Sequence, residues 1–415
     1  MQSNLSKNIQ AVLEKEIGPV GVFILQKQCE YLSISFGSIE KEHLPKLALQ
    51  LSDTLLVFGR EKANKVYIEL KRLSDVSTAP SHAGLEQELD LAEAAWNVGN
   101  IIEEKGHLFR AESMGAASHP EFSGRFHCLR GSLLLNEGEL ENARREYDAA
   151  LSFSQSKENP EGVAEATYGI GKLLWRAGKY SEARDSMMQC VDMNRKMNKT
   201  SKEGKCLMAL SNIHDDWGRF DESISYSDMS KKAFDMAGDE RGLATLHNNL
   251  GVAYARRNMF KESLAEYQQC IYLSNKIGYK MLEGWAMFNA AEDNARLENF
   301  QEALELCGKS DSIFMELGDK LGKSGVHMSY AVIYWLQGDS SKAEEHFSRT
   351  LDIRRSLGMP YRLADALYDY GRFLVDNSRL EDAKSAFAES RDIFKDLNNQ
   401  ERVEQLENAI QSLEA

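Results

Sequence analysis

The sequence predicts an all-α fold, a solenoid of stacked helix pairs behind a small N-terminal helical bundle. Three observations carry this. Small residues recur every forty positions, a turn residue recurs within each forty-residue unit, and the bulky residues between them follow helical spacing.

Taken in order, residues 1–73 do not repeat. Gly18-Pro19 parts a first helix from "VGVFILQKQCEYL", Ser38 with Glu40 and Glu42 reads as a helix start, and Gly59 separates "LPKLALQLSDTLLVF" from "REKANKVYIELKRL". A bundle of three or four helices is expected. Residues 74–84, "SDVSTAPSHAG", lack apolar periodicity and read as a linker. A short first unit is expected over 85–123, with Gly99 and Gly106 spaced like Gly131 and Gly138 and with Ala111 in the place of Ala143.

Seven forty-residue units follow over 124–400. One small column runs Gly131, Gly171, Ser211, Gly251, Ala291, Ala331, Gly371. Twelve residues on stands Ala143, Ala183, Ser223, Ser263, Ala303, Ala343, Ala383, and seven residues before the first stands Gly124, Ala164, Gly204, Ala244, Gly284, Ser324, Ala364. A fourth runs Ala150, Cys190, Ser230, Cys270, Ser310, Thr350, Ser390. Between the first two columns lies a turn (Gly138, Gly178, Gly218, Asn258, Gly338), so each unit is helix, tight turn, helix. Ser263, Tyr267 and Cys270 follow i, i+4, i+7 on one helical face. Pro120, Pro160 and Pro360 precede first helices, where a missing N–H costs little. Glycine inside a helix costs about 1 kcal/mol relative to alanine, so Gly251 is expected to be a packing residue at a close helix crossing. Residues 401–415 read as one amphipathic capping helix through Val403, Leu406, Ile410 and Leu413.

Composition bounds the function. The longest fully apolar stretch near the start, "VGVFIL", is too short to span a bilayer, and residues 1–10 show no secretory pattern, so a cytoplasmic location with no membrane partner is expected. The six cysteines form no CxxC, and the nine histidines are scattered, which predicts neither a metal nor another cofactor. His127, His247 and His327 share one repeat position, read as a packing preference. Residues 1–78 carry a net +1 and the remainder −15 of the total −14. An acidic array is a poor match for nucleic acid, and a protein or peptide partner of basic or mixed charge is expected. The basic residues Arg60, Lys62, Lys65, Lys71 and Arg72 would be the DNA-reading set of a helix-turn-helix, but Glu61 and Glu69 sit among them. No phosphate-binding loop, HExxH or GxSxG occurs. Asp215 and Asp216, adjacent on a helix, point about 100° apart and are no facing carboxylate pair. The chain is expected not to be an enzyme.

The small residue at Gly251, the turn at Asn258, Phe260, Ser263, Tyr267 and Cys270, with their equivalents in each unit, resemble the tetratricopeptide repeat (TPR) superfamily. Six residues beyond the usual 34-residue unit, together with Gly238-Asp239 and Gly318-Asp319, resemble the long-repeat subclass of LGN-type adaptors and Rap-type regulators. The resemblance implies a right-handed α-solenoid of about seven to eight TPR helix pairs whose first helices line a concave groove. The groove positions it implies are Tyr168, Lys172, Trp175, Met208, Asn212, Asp215, Asn248, Arg256, Trp285, Phe288, Glu292, Arg296, Met328, Trp335, Tyr368 and Arg372. Aromatic, arginine and asparagine side chains are the chemistry of binding hot spots. A carboxylate-clamp TPR would need lysine at Asn248, so chaperone-tail recognition of that type is not expected. The expected function is a scaffold or adaptor binding a peptide or partner helix. The alternative is a ligand-responsive switch in which the groove controls a partner held by the N-terminal bundle.

Overall fold

The computed structural model describes residues 4–32, 34–55, 66, 70, 82–97, 101–397 and 399–413, and among them every regular element is a helix. Their contacts group the chain into two compact units, residues 1–170 and 171–415.

In the first unit, α1 (Asn4–Ile17) and α2 (Val20–Tyr31) are parted by Gly18 at φ 77° and Pro19. The helix start expected at Ser38 lies further on. Two single 3₁₀ turns, Phe36–Ser38 and Lys41–His43, come first, and α3 covers Leu44–Leu55. Pro45 explains this, since proline lacks an N–H and is tolerated only in a helix's first turn. The helix expected from Arg60, its basic residues and most of the linker lie outside the described residues. The bundle core of Ile9, Leu13, Leu25, Cys29, Leu47 and Leu51 also takes in Phe109. Phe109 belongs to α5 (Ile101–Ser113), which pairs with α4 (His82–Asn97), so α4 already begins within the expected linker. Gly106, aligned by sequence with the turn residue Gly138, stands inside α5, and the left-handed residue that follows this helix is Gly115. The pair α6 (Ser123–Asn136) and α7 (Leu140–Ser156) then leads into α8 (Pro160–Arg176).

From α7 onward a helix begins every twenty residues. Those of the second unit are α9 (Tyr180–Lys196), α10 (Thr200–Asp216), α11 (Phe220–Ala237), α12 (Glu240–Ala255), α13 (Phe260–Lys276), α14 (Lys280–Arg296), α15 (Phe300–Leu317), α16 (Lys320–Gln337), α17 (Ser340–Ser356), α18 (Pro360–Asp376), α19 (Leu380–Asp396) and α20 (Gln400–Ser412). The reason is backbone geometry. Positive φ recurs at Gly138, Glu158, Gly178, Asn198, Gly218, Gly238, Asn258, Gly278, Glu298, Gly318, Gly338, Gly358 and Ser378, each twenty residues after the last. One left-handed residue per helix end closes the last carbonyls in a Schellman-type turn, as where Lys179 N donates to Leu174 O at 2.9 Å. After Gly238, Gly318 and Gly338 comes an aspartate that caps the next helix through its side chain.

The small columns are the helix crossings. A Cβ on Gly251 would overlap the Tyr267 ring, and one on Gly371 the Phe387 ring. Ala143, Ala183, Ser223, Ser263, Ala303, Ala343 and Ala383 are all buried, as is the whole column from Ala150 to Ser390. Its hydroxyls are satisfied across the helix pair. Ser230, Ser310 and Ser390 donate to the carbonyls of Gly204, Gly284 and Ala364 at 2.8, 2.8 and 2.7 Å. A buried hydroxyl is thereby tolerated in an otherwise apolar seam. At the end of the second unit Val403 and Leu406 of α20 bury against α19, with Ile410 and Leu413 alongside.

Candidate ligand-binding face

Within the second unit, α10 packs on α12, α12 on α14 and α14 on α16, while contacts between successive second helices are sparser. First helices that approach more closely than second helices put the first helices on the inner side of the curve.

Several of the residues expected on that side are tied to a neighbouring repeat. Trp175 Nε1 donates to Asp216 Oδ2 at 2.9 Å, and at the same repeat position further along Trp335 Nε1 donates to Asp376 Oδ2 at 3.1 Å. Arg256 Nη1 reaches Asp216 Oδ1 at 2.6 Å and Asp215 Oδ2 at 3.2 Å, so the two adjacent carboxylates, unable to face each other, meet on one guanidinium. Burial would lower the Arg256 pKa, but Asp216 and Asp215 outweigh it and raise it. Arg257, which sequence reasoning does not single out, also pairs with Asp215 and lies 3.9 Å over the Phe220 ring. Arg372 lies 5.8 Å from the Trp335 ring, and Arg296 5.9 Å from that of Phe260. Tyr368 Oη accepts from Gln405 Nε2 at 3.1 Å.

Others are packing residues. Met328 is buried in the core, Phe288 covers Gly325, and Trp285 packs half-buried beside Leu282 and Ala286. Tyr168, in the first unit, is half-buried, as are Lys172, Met208 and Asn212 in the second.

Several buried polar atoms lack a hydrogen-bond partner among the described residues, including Asn194 Oδ1 and both ring nitrogens of His214. Asn248 Oδ1 on α12 is sealed from solvent and accepts no hydrogen bond among the described residues. An acidic group is also assembled from α14 and α18. Glu292, which accepts from Ser329 Oγ at 2.6 Å, has its pKa raised by burial, and Asp369 is pushed up to about 6 by burial and by the charge of Glu292. Asp293, next to Glu292 in the chain, is likewise pushed up to about 6 by burial. Among the described residues no set of three metal-ligating side chains converges, and no helix is long and apolar enough to cross a membrane.

The helix pairs, the left-handed turns and the small crossing columns define an all-helical repeat protein built for interaction surfaces. It carries tetratricopeptide repeats: the tetratricopeptide repeat family model matches residues 125–196 and 324–396, and a second model of the same description matches 244–277. No curated protein matches the chain in sequence. Among solved structures, it is similar to a Rap protein complexed with Competence and Sporulation Factor, with 14% identity, a TM-score of 0.62, and coverage of 87% of this chain and 100% of that one. It is also similar to aspartyl phosphate phosphatase F from Bacillus subtilis (12% identity, TM-score 0.56, 95% and 94% covered). A third is the apo quorum sensor NprR from B. thuringiensis (14%, 0.55, 86% and 100%). At such identities the likeness is one of fold.

Proposed function

We propose that this chain is a non-catalytic adaptor or regulator whose first-helix face within residues 171–415 takes up a peptide or a partner helix. The observation that carries this is the Asn248 amide. A buried carbonyl oxygen without a donor costs about 1–3 kcal/mol, and here it sits on the helix next to the Asp215–Asp216–Arg256 junction. Turning this amide outward would bring its oxygen to the first-helix face, where an extended peptide backbone supplies the missing N–H. The test is capture from a randomised pentapeptide pool by the full chain and by the Asn248→Ala, Arg256→Glu double variant. Enrichment by the former that falls at least tenfold in the latter is expected. Equal enrichment by both would move the site elsewhere.

A second reading, a ligand-responsive switch, is favoured by the extent of the fold likeness. It takes in 86–95% of this chain in matches to proteins that include a quorum sensor and a Rap protein with a bound factor. Under it, ligand taken up by the second unit alters the N-terminal helices.

A further inference from the structure

His214, in the last turn of α10, occupies the repeat position that Leu134, Leu174 and Leu374 fill in three other units, so an apolar side chain serves there. It is 4% exposed, and both its ring nitrogens are sealed from solvent without a hydrogen-bond partner among the described residues. A polar group buried in this state is a standing cost to the fold. Two rings enclose it: Trp217, which follows α10, at 5.8 Å between centroids, and Tyr226 of α11 at 5.0 Å.

The groups around this enclosure favour the neutral ring. The Arg219 guanidinium lies 3.7 Å over the Trp217 ring and that of Arg184, from α9, 5.8 Å from it, while Tyr180 stacks on the same indole at 6.1 Å. Tyr226 Oη is turned to Met188 Sδ at 3.8 Å. Burial lowers the His214 pKa, the exposed Glu222 of α11 opposes the shift, and Arg219 and Arg184 add to it. The neighbouring Asp215 carboxylate is committed to Arg256 and Arg257 at 3.2 and 2.5 Å.

One tight turn closes over the ring. Trp217 N donates to Ile213 O at 2.9 Å, Gly218 N to Asp215 O at 3.0 Å and Arg219 N to His214 O at 2.7 Å, with Gly218 at φ 76°. An imidazolium would bring a second N–H and a full charge into a space where neither nitrogen has an acceptor and two guanidinium groups stand on the enclosing indole. It reaches water only when Trp217 and the turn move aside. The residues that such a movement disturbs are Asp215 and Asp216, which hold Trp175 of the repeat before and Arg256 and Arg257 of the repeat after.

We infer that His214 is an acid-sensitive latch: on taking up a proton it leaves its enclosure, opens the turn between α10 and α11, and loosens the ties of Asp215 and Asp216 to both neighbouring repeats. A solvated histidine titrates near pH 6.5. The released ring accepts the proton that the enclosed ring refuses, so the turn is closed above about pH 6.5 and opens progressively below it. The latch acts whether or not the first-helix face takes up a peptide.

The test is hydrogen exchange of the full chain at about pH 7.5 and about pH 5.5, corrected for the intrinsic exchange rate at each pH. The matched turn one repeat earlier, where Leu174 stands in place of His214 and Lys179 N donates to Leu174 O at 2.9 Å, is the internal reference. Protection of the Trp217, Gly218 and Arg219 amides is expected to fall at least about tenfold at the lower pH, with the Ala177, Gly178 and Lys179 amides unaffected. In His214→Leu, which restores the leucine of the other units, that loss is expected to vanish. His214→Gln, uncharged throughout this range, carries the comparison if leucine prevents folding, which far-UV circular dichroism reports. At neutral pH both variants are expected to protect the turn at least as well as histidine does. A loss of protection that the variants retain, an equal loss at both turns, or no loss in the unaltered chain would overturn the inference. A turn that is already open in the variants at neutral pH would make the imidazole a structural residue and contradict it.

Discussion

Gly251 shows at the scale of one residue how packing overrides propensity. Alanine there would gain about 1 kcal/mol of helix propensity, yet its methyl would collide with the Tyr267 ring, itself held in the seam between α12 and α13. Overpacking a core costs about 1–3 kcal/mol. Gly251→Ala is therefore expected to lower the urea unfolding free energy by about 1–2 kcal/mol, and Gly251→Ala with Tyr267→Leu to recover part of that loss. A stabilised single variant would show that the Tyr267 ring can give way at the crossing. This part of the fold was legible in the sequence, since glycine recurring every forty residues inside helical patterns marks a place where a side chain does not fit. The orphan amide of Asn248 was not legible. Asparagine at that position looks the same whether or not its oxygen finds a donor, and that depends on the neighbouring helix.

Helix pairing adds a further level. His127 and His247 share a repeat position and each meets a glutamate nineteen residues on, Glu146 at 2.6 Å and Glu266 at 2.5 Å, so the position joins first helix to second. The sequence shows it as a packing position alone because the partner lies on the other helix. In the α16–α17 pair the partner is a second histidine: His327 Nδ1 lies 3.1 Å from His346 Nδ1, with the Tyr330 and Tyr334 rings against His346. Burial, then His327 and Arg349, pushes His346 down to about 4, while Glu345 and Asp311 oppose the shift. Burial, then Arg349, lowers His327, with Lys323 acting the same way. The unfolded histidines titrate near 6.5. Between there and about pH 4 the unfolded chain binds protons the folded chain refuses, so stability is full above about pH 6.5 and falls as pH drops through that window. His346→Glu restores the pairing seen at His127 and is expected to reduce the loss of stability between about pH 7 and pH 5 by on the order of 1 kcal/mol. Denaturant melts at the two pH values check this, and an unchanged pH dependence would show that the pair is not its source.

Across the chain, the repeats, the crossing columns and the cap were readable because each rests on local spacing. The N-terminal helices were less so: Pro45 sets the start of α3, and Phe109 joins the bundle core from a helix far along the chain from Ile9, Leu13 and Leu25. The proposed binding face was legible only as a set of columns. That Trp175 and Trp335 would bond to Asp216 and Asp376 depends on a forty-one-residue offset that becomes visible once the first helices are laid side by side. The orphan amide has a use only if first helices, and not second helices, form the ligand-binding surface. Hydrogen exchange read by mass spectrometry, on the full chain with and without a peptide recovered from the pentapeptide pool, separates the two surfaces. Slowed exchange confined to α10, α12 and α14, with α11, α13 and α15 unaffected, is the predicted result. Protection centred on α11, α13 and α15 would contradict it.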